Sequence, residues 1–381
     1  MARYQLEDIF DLQMGKTPSR NNSEYWNTCD NKWISIGDLT QAGKYITDTK
    51  EYLSDVAVEE SGIKIIPANT VVMSFKLSIG KTAITSEDMY SNEAIMAFHD
   101  KHVVDLMPEY IYYMFKYKDW DEGTNKAVMG KTLNKATLSK VEIEVCPLEK
   151  QKEIVELLDK VSTVLDGRNE ELKKLDELIK ARFVEMFGDQ ESNPKGWDKC
   201  TVGDCCTLKS GTSLPADKEN EGGPIPYVKV GDMNYPGNER YITTSSRFVS
   251  AETAGKGLFE IGSILFPKRG GAIGTNKKRM TILPVCADLN VMGVSSNGKH
   301  LPEFLLAYFD MIDLSSLSDG SSVPQINNKN IAPLEICVPP MDMQRDFAVF
   351  VAQVDKSKAV IQKSLDETQL LFDSLMQQYF G

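Results

Sequence analysis

The chain has 381 residues, enough for two or three domains that each bury a core. Its 41% hydrophobic and 26% charged residues exclude a largely disordered polymer. A formal charge of −12, from 43 Lys and Arg against 55 Asp and Glu, excludes a surface that is basic throughout, so any phosphate contacts must come from local clusters.

From the amino terminus, the chain first offers short β-rich runs. Met1 to Phe10 has no basic stretch ahead of an apolar run, and no later segment has the eighteen or so uninterrupted apolar residues of a membrane span, so a cytoplasmic protein without membrane contact is expected. Trp33-Ile-Ser-Ile36 alternates as a strand does, Val71-Val72-Met73 is a second such run, and Pro108 opens a helix. Gly15-Lys16-Thr17, Gly80-Lys81-Thr82 and Gly130-Lys131-Thr132 suggest phosphate loops. They fail because the glycine needed five positions earlier is replaced by Phe10, Phe75 and Asn125. From Gly123 to Val141 stand Lys126, Lys131, Lys135 and Lys140 with no acid. Residues 1–148 therefore read as one compact α+β domain.

After Pro147 the pattern changes. Apolar residues recur at spacings of four and three through Ile154, Leu158, Val161, Leu165, Leu172, Leu175, Ile179 and Met186, a heptad seam that predicts one long helix over 149–188. At about 1.5 Å per residue it extends roughly 57 Å. A polar linker, 189–196, contains Asn193-Pro194-Lys195-Gly196, which lacks the aromatic that a base-flipping methyltransferase motif would carry.

The second half repeats the first at an offset of 193 to 196 residues. Asp8 meets Asp204, Gly15 meets Gly211, Gly37-Asp38 meets Gly231-Asp232, Tyr45-Ile46-Thr47 meets Tyr241-Ile242-Thr243, and Pro147 and Gln151 meet Pro340 and Gln344. So long a period implies two similar domains. Residues 197–341 are the second α+β domain, with strands at Tyr227-Val-Lys-Val230 and Ile264-Leu265-Phe266. A second seam, Phe347, Val351, Val354, Ile361, Leu365, Phe372, Leu375 and Tyr379, predicts a long helix over 342–381. Two such helices most simply pack antiparallel as a spacer; the alternative is that each folds back on its own domain.

No catalytic residues and no metal site emerge. The histidines His99, His102 and His300 are isolated, and the seven cysteines include no C-x-x-C pair, so they read as buried thiols. The candidates that remain are basic and amide side chains. Ile261 to Ala287 holds Lys268, Arg269, Lys277, Lys278 and Arg279 without an acid. Together with Lys76, Lys81, Lys126, Lys131 and Lys135 these could hold phosphates. Asn134, Gln325, Asn327 and Asn328 could pair with adenine edges, and Arg269 with guanine.

Two β-rich domains, closing with Glu142-Ile-Glu-Val-Cys-Pro-Leu-Glu-Lys-Gln151 and Glu335-Ile-Cys-Val-Pro-Pro-Met-Asp-Met-Gln344 and each leading into a heptad helix, resemble the specificity subunit of type I restriction-modification enzymes. Gly15-Lys-Thr-Pro-Ser19 and Trp33-Ile-Ser-Ile-Gly-Asp38 are similar to that family's recognition-domain pattern. The resemblance implies two target recognition domains separated by two antiparallel helices, with a pseudo-twofold relation between halves. It also implies a non-catalytic chain that reads a bipartite site in double-stranded DNA. Two modification subunits would bring S-adenosylmethionine, and restriction subunits would bring ATP and Mg. Two other readings stay open: the specificity subunit of an enzyme whose restriction and methylation functions share one polypeptide, and a coiled-coil adaptor that binds no DNA. The second half departs from the pattern at Gly211-Thr-Ser-Leu-Pro215 and at Arg269-Gly-Gly-Ala-Ile-Gly274, as suits domains that read different half-sites.

Overall fold

The strand order of the first domain recurs in the second. A computed structural model describes residues 2–26, 28–76, 78–120, 133–319 and 322–381. Packing divides the chain into two units, 1–167 with 364–381, and 168–363.

In unit 1 the main sheet runs Phe10–Met14, Ile95–Asp100, Val71–Ser74, Thr82–Thr85, Tyr45–Ile46. All its pairings are antiparallel except the last. A small sheet of Glu51–Leu53, Asn31–Ile34 and Tyr90–Ser91 stands beside it. Val71–Ser74 is buried along its whole length because both faces are covered. Strand alternation sends Val71 and Met73 to the helical side and Val72 to the cluster containing Ile34 and Leu39. On the helical side lies α1 (Pro108–Tyr117), opened by a proline whose missing N–H costs nothing at the first helical position. It buries an unbroken run from Tyr110 to Phe115. Leading out of the unit is α2 (Leu148–Phe187), of 40 residues.

Unit 2 has the corresponding strands in the corresponding order: Cys206–Ser210, Val291–Ser296, Ile264–Pro267, Arg279–Thr281, Tyr241–Ile242, again with only the last pair parallel. Its helix α3 (Pro302–Asp310) matches α1, and α4 (Met341–Phe380) matches α2 in length and type. The duplication is thus one of topology as well as sequence.

The long helices are shared between the cores. In unit 1, Ile154, Val155 and Leu158 near the start of α2 pack in one cluster with Phe372, Leu375, Met376, Tyr379 and Phe380 near the end of α4. In unit 2, Ile179, Phe183 and Phe187 from the end of α2 join Phe347, Val351 and Val354 from the start of α4, with Phe183 and Phe347 ring centres 5.6 Å apart. In each unit the pair is antiparallel. Both sequence expectations hold in part, since the helices pair along the seam and also pack on domains. Packing groups residues 1–167 with 364–381 and residues 168–363, so each long helix contributes to both units.

Of the seam, Ile154, Leu158, Val161, Leu165, Ile179, Phe347, Val351 and Val354 are buried. Leu172, Leu175, Met186, Ile361, Leu365, Phe372, Leu375 and Tyr379 are half-buried. Val155, Phe183, Phe187 and Met376 lie outside the two-position seam yet are buried, because a helix that meets a domain as well as another helix needs a wider apolar face.

Two polar devices fasten each domain to a long helix. Buried Gln151 accepts from the Met107 amide at 2.9 Å and donates to the carbonyls of Asp105 and Cys146. Gln344 repeats this with Leu301, Lys299 and Pro339. The second device places Lys44 against Asp159 of α2 in unit 1, and Arg240 3.8 Å from both Asp310 and Asp355 in unit 2. The segment expected as a polar linker is built rather than loose: Asn193 bonds both backbone groups of Trp197, whose indole donates to the Phe187 carbonyl at 3.0 Å.

Candidate nucleic-acid interface

The glycine repeated at Gly15 and Gly211 serves packing rather than phosphate. A β-carbon on Gly15 would stand 2.2 Å from the Asn92 carbonyl oxygen, and one on Gly211 would stand 2.1 Å from that of Asp288. The following amides, of Lys16 and Thr212, donate at 2.8 Å to the carbonyls of Ser91 and Ala287. Glycine is required here so that two backbones can touch.

The most developed polar edge in unit 2 forms just after the strand Ile264–Pro267. Arg269 is bridged in antiparallel fashion to Gln325, flanked by Gly270 N–H to Pro324 at 2.8 Å and Ile326 N–H to Lys268 at 2.9 Å. Directly opposed residues in such a bridge present their side chains on the same face. A guanidinium and an amide that are 56 positions apart in sequence are therefore neighbours, with Arg269 exposed. Next come half-buried Asn327, whose amide donates to Asn330 Oδ1 at 2.9 Å, and exposed Asn328, which opens the short helix Asn328–Ile331. Lys268 lies beneath, its ammonium donating to Ser210 Oγ at 2.9 Å. Burial and the neighbouring Arg269 charge push its pKa down.

Unit 1 places Lys76 just after the equivalent strand, and Asn134 and Lys135 at the start of the equivalent short helix, Lys135–Ser139. Lys135 is exposed and Lys76 is half-buried, its ammonium 5.1 Å from the Phe75 ring centre. Asn134 Oδ1 accepts from the Thr137 amide at 2.9 Å as a helix cap. Its oxygen is thus engaged in the cap, and two-point adenine recognition would use both the amide oxygen and the nitrogen. Lys126 and Lys131 lie outside the described residues.

The remaining cations have structural duties. Lys81 donates to Thr40 and Lys277 to Asn234, at matching places in the two units, and so pin a loop onto the segment after the Trp33 and Tyr227 strands. Lys278 corrects the sequence reading most clearly: it is 4% exposed, and its ammonium donates to Asn276 Oδ1 at 2.7 Å and to the Ile312 carbonyl at 2.6 Å. Burial holds its pKa down at about 8, against the pull of Asp310 and Asp313. A phosphate could not reach it. Arg279 is half-buried and braces the carbonyls of Lys278 and Met233.

Sequence reasoning missed the pairing of Arg269 with Gln325, because nothing local in either segment signals the bridge. It also missed Arg20, whose guanidinium lies 3.8 Å from the Trp26 ring centre and is held by Glu51.

Two copies of one α+β module, each ending in a forty-residue helix, define a two-module recognition scaffold. The chain belongs to the family described as type I restriction modification DNA specificity domain, whose model matches residues 1–176 and 194–369. It is 27% identical to the MjaIX specificity subunit of Methanocaldococcus jannaschii, over 97% of this chain and 90% of that one. Against the EcoR124I/EcoR124II specificity subunit of Escherichia coli it is 29% identical over 47% of this chain and 45% of that one. Among solved structures, the S subunit of a type I restriction-modification system from M. genitalium matches with TM-score 0.54 and 15% identity, over 100% of this chain and 96% of that one. A chain from a study of the assembly and conformational transition of a type I system matches with TM-score 0.57 and 17% identity, over 100% and 97%. At such identities the likeness is one of fold. Among the described residues no helix is long and apolar enough to cross a membrane.

Proposed function

We propose that this chain is the DNA-reading and scaffold subunit of a restriction-modification complex in the cytoplasm, each unit reading one half of a bipartite site in double-stranded DNA. The observation that carries this reading is the polar edge of unit 2, where the backbone bridge sets Arg269 beside Gln325 just after the strand Ile264–Pro267. After the corresponding strand and at the start of the corresponding short helix, unit 1 carries Lys76 and Lys135 instead, as expected of two modules that read different sequences from one fold. Base-edge contacts by Arg269 and Gln325 would specify, and cations such as Lys135 would position the duplex.

The reaction chemistry belongs to partners in this proposal. Two modification subunits bind S-adenosylmethionine and transfer its methyl group, while restriction subunits use ATP and Mg. This chain supplies the address. The experiment is to exchange residues 197–341 for the matching domain of a relative and to map methylation in cells that also express the modification subunit. One half-site should change and the other persist. Simultaneous change of both halves would overturn the modular reading.

A further inference from the structure

A group of buried metal-ligand side chains in unit 2 stands apart from the Arg269–Gln325 edge. Cys205 and Cys206 stand where a one-turn helix, Val202–Cys205, passes into the first strand of the main sheet, Cys206–Ser210. His300 comes from the loop that precedes α3. Their sulfur and nitrogen donors all lie within 4.8 Å of one another, and all three residues are buried. The Cys200 thiol, on the neighbouring strand Asp198–Thr201, lies close to that of Cys205, which donates to the Thr201 carbonyl at 3.0 Å.

The histidine carries the argument. It is 2% exposed, and its Nε2 is 2.9 Å from the Cys337 carbonyl oxygen, which can only accept. Nε2 therefore bears the proton, and Nδ1 is left with a lone pair. That Nδ1 is buried and has no hydrogen-bond partner. Ligating histidines are commonly held this way, with the far N–H on a carbonyl and the near lone pair facing the ion. An unpaired buried polar atom without such a partner is otherwise destabilising.

Comparison with unit 1 sharpens the point. At the repeat offsets, Cys200, Cys205, Cys206 and His300 correspond to Tyr4, Ile9, Phe10 and Leu106. Those four residues pack in or against the apolar core of unit 1. The same corner of the fold is thus filled by hydrocarbon in one module and by thiols and an imidazole in the other.

We propose that unit 2 contains a structural zinc site formed by Cys205, Cys206 and His300 Nδ1, with Cys200 as the fourth ligand. Sulfur at about 2.3 Å and nitrogen at about 2.0 Å from a tetrahedral ion puts donors roughly 3.8 Å apart, so Cys205, Cys206 and His300 need to draw in by about 1 Å, and Cys200, outside that group, must swing in further. Binding displaces the thiol protons to solvent, while the imidazole is already neutral at the ligating nitrogen. A closed site with four protein ligands has no position for a substrate, so the ion's role is to fasten the start of the sheet to the loop before α3. The sequence expectation of no zinc site rested on the missing C-x-x-C pair, and spacing along the chain could not show that residues 205 and 300 meet.

The test uses the full chain, purified without chelator and then dialysed against Zn(II) or Co(II). The expected result is close to one equivalent of zinc by elemental analysis, and with cobalt the intense visible bands of thiolate ligation. His300→Leu installs the residue type that unit 1 carries at this place, so its core stays filled. It should lose zinc affinity at least tenfold and lose the rise in melting temperature that zinc gives the parent. Cys205→Ser with Cys206→Ser should abolish the cobalt bands. Absence of cobalt bands in the parent, zinc content unchanged in His300→Leu, or a disulfide among the three cysteines in freshly purified protein would each overturn the site.

Discussion

Replacing Gln344 by Leu tests whether the repeated proline-to-glutamine pattern is a fastening. The side chain is fully buried and makes three hydrogen bonds, from the Leu301 amide at 2.8 Å and to the carbonyls of Lys299 and Pro339 at 3.1 and 2.9 Å. Leucine is similar in volume, so the loss is one of partners rather than of packing. Each buried group left unpaired costs about 1–3 kcal/mol. Lys299 is exposed and its carbonyl can find water, so the sum falls at about 3–4 kcal/mol rather than the upper limit. For a unit of this size about 1 kcal/mol shifts the melting temperature by roughly 2–4 °C, which places the expected fall at roughly 6–16 °C. Scanning calorimetry should show this in one transition only, and hydrogen exchange should assign it to unit 2. Gln151→Leu should do the same in unit 1 through Met107, Asp105 and Cys146. A shift below about 2 °C in both variants would mean that the glutamine is incidental and the helices are held by apolar contacts alone.

Other consequences follow from the side chains at and behind the polar edge. Because the Lys278 pKa is held at about 8 in the folded protein and returns to about 10.5 on unfolding, the unfolded chain binds more protons between those values. Stability should therefore rise with pH across that window and should level off above it; denaturant titrations in which Lys278→Met rises just as steeply would refute this. Arg269→Ala should weaken binding of the assembled complex to its site by about 1–3 kcal/mol and relax one base position in the half-site read by unit 2. Methylation maps with that half-site unaltered, at unchanged affinity, would remove Arg269 from the reading surface.

Much of this architecture was legible in the sequence because repetition is a strong signal. Gly15 with Gly211 and Gln151 with Gln344 could be matched by eye, and each match proved to be one physical device used twice. The long helices were legible for the same reason, since a heptad pattern over forty residues leaves few alternatives. Their sharing between units was not: Phe183, Phe187 and Met376 are explained only by domains that the heptad rule does not contain. At the candidate interface, composition found the basic segment 261–287 but could not separate inward from outward positions. Arg269 and Lys278 look alike as letters, while one is exposed on a bridge and the other is buried against a carbonyl. The bridge joins segments 56 residues apart, and the thiol and imidazole group spans 95, separations at which local patterns carry no information.

The sharing of α2 and α4 also orders events in time. Unit 2 is drawn from one continuous stretch, 168–363, whereas unit 1 takes residues 1–167 and then 364–381. On the ribosome, the first domain to be made is therefore the last that can finish. Its core lacks Phe372, Met376 and Phe380 until nearly the whole of these 381 residues has been synthesised. During that interval the apolar faces of α1 and of early α2 stand uncovered, a condition that invites association with other chains. The second unit has no such wait. A contact between residues more than 200 apart also carries a high loop-closure cost, so closure of unit 1 should be the slow step in refolding.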